Sequence, residues 1–167
     1  MRYSLLAGQR ALAAFAHQDA VDHFQRALEA KDEHADSSSS GQVVDAETAE
    51  LLYGLGLAQT STLPRLELQE AHHNLTRAFD YYARMGDLSR IVAIAEIPGP
   101  ILSERSTSIG HLTARALEIA PDHSHEAGRL LSFYGNVQGM EEADYQGAQY
   151  YFERALAIAK RDEDTGL

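Results

Sequence analysis

The chain has 167 residues, 44% of them apolar and 23% charged, a composition that fits one folded domain and excludes a disordered or membrane-embedded segment. Its net charge of −11 repels phosphate backbones and argues against nucleic-acid binding, while the absence of cysteine removes disulfides, thiolate metal sites and thiol nucleophiles. Met1 to Gly8 lack the apolar core of a signal peptide, and no apolar run approaches the roughly 20 residues of a membrane span; the expectation is a cytoplasmic protein.

In chain order, Leu5, Leu6, Leu12, Ala13 and Phe15 give residues 2–16 a helical pattern. His17-Gln18-Asp19 reads as a short break, and a second helix runs to about Lys31, so the two form an antiparallel hairpin. The polar tract at about 32–44, with Ser37-Ser38-Ser39-Ser40-Gly41 at its centre, reads as a mobile loop that contributes little to stability. Asp45 is the N-cap of a third helix carrying Leu51, Leu52, Leu55 and Leu57, ended by Thr60 to Pro64. A fourth helix spans Leu66 to Arg84, with Gly86 closing it and Asp87 capping the next. Leu88–Glu96 is a short apolar helix halted by Pro98-Gly99-Pro100. Gly110–Ala120 is closed by Pro121, Asp122 or Ser124 caps a helix to about Gln138, and Asp144 opens the last, to about Arg161.

Three of these helices share one spacing. Ala20, Phe24, Ala27 and Leu28 recur as Ala71, Leu75, Ala78 and Phe79, and again as Ala148, Phe152, Ala155 and Leu156. Offsets of four and three lie on one helix face, so each copy carries a narrow, alanine-lined seam that a neighbouring helix must cover. Small residues also recur in the preceding helix of each pair, at Gly8, Gly56, Ala95 and Gly135.

On these residues the chain resembles the tetratricopeptide repeat, and Leu55-Gly56-Leu57-Ala58-Gln59 and Glu126 to Leu131 are similar to the repeat region of large bacterial LuxR-type, maltose-activator-like transcriptional regulators. The third unit departs from the pattern, with Ile109 where alanine is expected. The resemblance implies an all-α, right-handed superhelical solenoid of about four antiparallel hairpins, a single domain over 1–167. The ATP-binding and DNA-binding motifs of such regulators are missing from this segment.

No metal or catalytic constellation stands out. The eight histidines show no H-x-x-x-H spacing and read as surface residues; Glu141-Glu142 and Glu163-Asp164 read as solvated charge. The Asn74-Leu75-Thr76 sequon falls inside a seam helix and is discounted as a glycosylation site. No cofactor, no metal and no enzymatic activity are expected. The expected function is a non-catalytic interaction scaffold in a signalling or transcription regulator; the alternative is an inducer-sensing domain. In a tetratricopeptide-like stack the inward positions would be Arg2, Leu5, Gln9 and Leu12, then Glu50, Tyr53, Leu57 and Thr60, then Ser89, Val92 and Glu96, then Arg129, Ser132 and Asn136. Arg2, Gln9, Tyr53, Leu57, Thr60, Arg129 and Asn136 are the candidate partner-binding residues, with a protein or peptide in the concave groove and Tyr53 as anchor. Tyr151, Leu156 and Ile158 lie on faces of the last helix that ought to be covered, which suggests a piece of a longer protein or self-association through that helix.

Overall fold

A computed structural model describes residues 2–32, 43, 45–64, 67–97, 108–140 and 142–164. The described residues are all-helical, in two compact units, Met1–Gly86 and Asp87–Leu167. The first unit holds α1 (Arg2–Ala13), α2 (His17–Asp32), α3 (Ala46–Thr62) and α4 (Leu68–Met85); the second holds α5 (Leu88–Ala95), α6 (Ser108–Ile119), α7 (His125–Met140) and α8 (Tyr145–Asp162). In each unit every helix packs on the one before it, and the first helix also touches the third.

The core of the first unit is built on the seam of α2. Ala20, Val21, Phe24 and Ala27 are buried against Leu51, Leu55 and Ala58 of α3, with Leu5 and Leu12 of α1 packed alongside. Phe24 sits between two glycines. A Cβ on Gly8 of α1 would stand 2.6 Å from its ring, and one on Gly54 of α3 would also run into it. The ring can enter this seam because both neighbouring helices lack a side chain there, and burying it contributes about 1.5–3 kcal/mol. The α3–α4 seam is similar, with Gly56 against Leu75. It also buries a polar chain: Asn74 Nδ2 donates to Gln59 Oε1 (2.9 Å), and Gln59 Nε2 donates to Glu70 Oε1 (2.8 Å). With every member bonded, this network fixes how the two helices slide on each other. Asn74 is buried, which closes its sequon to glycosylation.

The helix ends follow the sequence signals closely. Asp45 accepts from Thr48 N (2.9 Å), Ser124 Oγ from Ala127 N (3.0 Å) and Asp144 from Gly147 N (2.9 Å), so Ser124 rather than Asp122 supplies the α7 cap. Gly86 closes α4 at φ 70°, the left-handed region that glycine enters without strain.

Several expectations need correction. The first break lies at Ala14–Ala16, not His17–Asp19. There Phe15 takes φ 58°, and Ala16 N donates to Ala11 O (2.9 Å), so α1 ends one turn early and Phe15 stands 82% exposed. His72 is buried within α4, whereas a solvated surface position was expected. Among the residues at 32–44, Asp32 ends α2 and Val43 is buried, its carbonyl accepting from Arg84 Nη2 (2.6 Å). The serine tract Ser37–Gly41, Pro98-Gly99-Pro100 and Glu141 lie outside the described residues, as does the side chain of Ile109.

Candidate functional site

The expected inward positions fall into separate groups, one in the first unit and two in the second. In the first unit Gln9 of α1 donates to Glu50 Oε1 of α3 (3.3 Å), and Glu50 Oε2 accepts from the Tyr82 hydroxyl of α4 (2.8 Å). Helices α1 and α3 therefore meet through Gln9 and Glu50, two of the side chains expected to point inward. Tyr53 and Leu57 are half-buried on α3, and Tyr53 has an interaction of its own. Thr60 Oγ1 donates back to Leu57 O (2.7 Å), which spends its donor on its own helix. Arg2 opens α1, and its side chain lies outside the described residues.

In the second unit α5 and α7 enclose a cavity of about 230 Å³ lined by Leu88, Ser89, Val92, Ala93, Glu126 and Arg129. Arg129 forms an ion pair with Glu96, the residue that ends α5. Burial pushes the Glu96 carboxyl above its usual range, while the Arg129 guanidinium pulls the other way. Glu96 is largely covered and Arg129 is half exposed, so the arginine presents free surface at the edge of an apolar floor. Ser89, Val92, Glu96 and Arg129 were all expected to point inward, and these four come together. Glu126 was not foreseen; it follows the Ser124 cap by two residues, and that turn brings it to the rim.

Asn136 lies elsewhere. It is exposed and lines an apolar groove of about 470 Å³ between α7 and α8, with Gly135, Gly139, Met140, Tyr145, Phe152 and Leu156. Of the three residues expected to be uncovered on α8, Leu156 is 52% exposed and Tyr151 half-buried, but Ile158 is buried. Tyr150 and Phe152 are exposed as well, although Phe152 occupies the place of the buried Phe24 in the seam spacing.

A third hollow, of about 310 Å³, lies among α6, α7 and α8, beside Tyr134 and Tyr151, whose rings meet edge to face at 4.9 Å. Burial raises the Tyr134 hydroxyl above its ordinary pKa, so the phenol stays protonated. Among the described residues no three His, Asp or Glu side chains gather as a metal ion would need. No helix among them is long and apolar enough to cross a membrane. In comparison with known proteins, the chain matches no family model, no curated protein and no solved structure.

Proposed function

We propose that the chain is a tetratricopeptide-like solenoid segment that acts without catalysis, holding a protein or peptide partner within a bacterial signalling or transcription regulator. The observation that carries this reading is the Arg129–Glu96 pair at the mouth of the α5–α7 cavity. Arginine at the rim of an apolar hollow is the combination that supplies binding energy at interfaces, and it suits a peptide carboxylate followed by an apolar side chain. The cavity, about 230 Å³, lies below the roughly 300–1,000 Å³ of small-molecule pockets, which favours a side chain over an inducer. The seam residues, the alternation of α1 with α3 and of α5 with α7, and the two aligned polar pairs support the repeat reading.

The test is selection of peptides from a random displayed library on the purified chain, followed by titration against wild type and Arg129→Ala. Enriched peptides with an acidic residue, losing at least tenfold in affinity on Arg129→Ala, support the reading. Peptides that bind Arg129→Ala and Val92→Glu as tightly as wild type would place the site elsewhere. A thermal-shift series with sugars, nucleotides and amino acids separates the sensor reading, since a bound inducer raises the melting temperature by mass action.

A further inference from the structure

The groove between α7 and α8 repeats a surface that is already filled elsewhere in the chain. Adding 128 to the α2 seam converts Ala20, Phe24, Ala27 and Leu28 into Ala148, Phe152, Ala155 and Leu156. Gly8 of α1, against Phe24, corresponds to Gly135 of α7, where a Cβ would come 2.9 Å from the Phe152 ring. The first of these surfaces is covered by α3, whose Gly54 backs onto Phe24 and whose Leu51, Leu55 and Ala58 complete the cluster. No described residue covers the second: Phe152 is 39% and Leu156 52% exposed.

Of the two polar edges one repeats. At one end of the α2–α3 contact Lys31 Nζ pairs with Asp45 (2.7 Å) and Glu47 (3.1 Å) at the start of α3. On α8 the position matching Lys31 is the buried Ala159, so that pairing has no counterpart. At the other edge Gln9 donates to Glu50 of α3, and its counterpart on α7 is the exposed Asn136. The groove therefore offers an amide donor and an aromatic ring uncovered on one side, in the arrangement that α3 answers with Glu50 and Gly54.

We infer that the α7–α8 groove docks a helix of a partner protein built on the pattern of α3: glutamate four residues before a glycine, and leucines three before and one after that glycine. The glycine is required because Phe152 already fills the seam from the Gly135 side, as Phe24 does between Gly8 and Gly54. This surface is distinct from the Arg129 cavity.

The probe is a labelled synthetic peptide of this chain's residues 45–63, titrated by fluorescence anisotropy into the whole chain. A short helix must order itself on binding, so saturation with a Kd of about 10–100 µM is expected. Changing the peptide's glycine, Gly54→Phe, should abolish binding, and Glu50→Ala should weaken it several-fold. On the protein, Phe152→Glu should abolish binding. Leu156→Glu, at a more exposed position, should weaken it at least tenfold and serves if the first variant loses its helical circular dichroism. No saturation at 1 mM peptide, or binding that survives Leu156→Glu in folded protein, overturns the inference. So does a chain that sediments as a dimer and becomes monomeric on Leu156→Glu, because the occupant is then a second copy. The readout depends on Phe152 and Leu156 alone, so it stands or falls separately from peptide selection at Arg129.

Discussion

Phe24 and Phe152 hold the same place in the same spacing, yet one is fully buried and the other 39% exposed. Their helices have the same alanines four before and three after, and each ring rests on a glycine of the preceding helix. The difference lies in the next helix. Gly54 of α3 closes over Phe24, and no described residue does so for Phe152. A seam helix thus specifies what it can bury, and its neighbour decides how much it does.

The largest test of this contrast removes each ring. Phe24→Ala should destabilise the first unit by about 3–5 kcal/mol, since it empties the fully buried space that the ring fills between two glycines. Phe152→Ala should cost the second unit about 1–2 kcal/mol at most, because the ring already contacts water on one side. Urea unfolding of both variants, followed by circular dichroism, measures the difference. Equal losses would mean that the exposed ring is as well packed as the buried one, and the contrast would fail.

The glycines give the next largest effect, of different size in the two regions. Alanine is intrinsically better in a helix by about 1 kcal/mol, so the outcome depends on the room for one methyl group. At Gly54 the methyl meets a ring that Gly8 blocks from behind, and Gly54→Ala should cost about 1–3 kcal/mol by overpacking. At Gly135 the ring borders an open groove and can swing away, while the Ala148 carbonyl oxygen stays 3.2 Å from the new methyl, so Gly135→Ala should cost less, under about 1 kcal/mol. Melting temperatures of the two variants check this, with the larger drop expected at Gly54.

The seam itself was readable from spacing alone, as were the caps at Asp45, Gly86 and Asp144, because these signals are local: an offset of three or four, one oxygen, one left-handed residue. The break at Ala14–Ala16 was not readable. A phenylalanine at positive φ has no sequence signature, and the polar His17-Gln18-Asp19 looked more like a turn although it begins α2. In the candidate site, Ser89, Val92, Glu96 and Arg129 were found because they share a register on α5 and α7. Tyr53 is half-buried rather than open, and exposure of this kind depends on neighbours from other helices, about which periodicity within one helix carries no information. Asn136 lines the α7–α8 groove instead of joining Arg129, for the same reason.

The polar edge separates the two regions further. Asp45 both caps α3 and pairs with Lys31, while the position on α8 that matches Lys31 is the buried Ala159. Burial works to raise the Asp45 carboxyl, but hydrogen bonds from Lys31 and Thr48 outweigh it and hold it at about 2, below its ordinary 3.8. Burial likewise opposes the charged form of Lys31, and the bonds to Asp45 and Glu47 raise its pKa on balance. The fold therefore favours the ionised aspartate: that stabilisation is complete above pH 3.8 and is lost as the pH falls toward 2. The lysine's share is present below pH 10.5 and is lost as the pH rises through its raised value. Asp45→Ala should cost about 1 kcal/mol at neutral pH, and Asp45→Asn, which keeps the cap, a few tenths. Thermal unfolding from pH 2 to 7 should show the acid slope of the first unit flattened in both.

Glu96 should behave in the opposite sense, with the smallest effect on stability. Its carboxyl is raised rather than lowered, burial outweighing the Arg129 guanidinium, so the fold favours the protonated acid. Its contribution is then largest below the ordinary 4.5 and is lost as the pH rises through the raised value, the reverse of Asp45. Glu96→Gln removes that dependence and leaves Arg129, half exposed to water, without its carboxylate. An exposed guanidinium is well solvated, so the change in stability at pH 7 should stay within about 0.5 kcal/mol. Its effect on binding should be larger than its effect on stability. Glu96 competes with any incoming carboxylate for Arg129, so Glu96→Gln should tighten an acidic peptide selected on the α5–α7 cavity by roughly two- to tenfold, within the range of a single charge-assisted bond. Titration of the same peptide into wild type, Glu96→Gln and the double variant with Arg129→Ala reads this directly. If the gain persists in the double variant, Arg129 is not the group that receives the peptide.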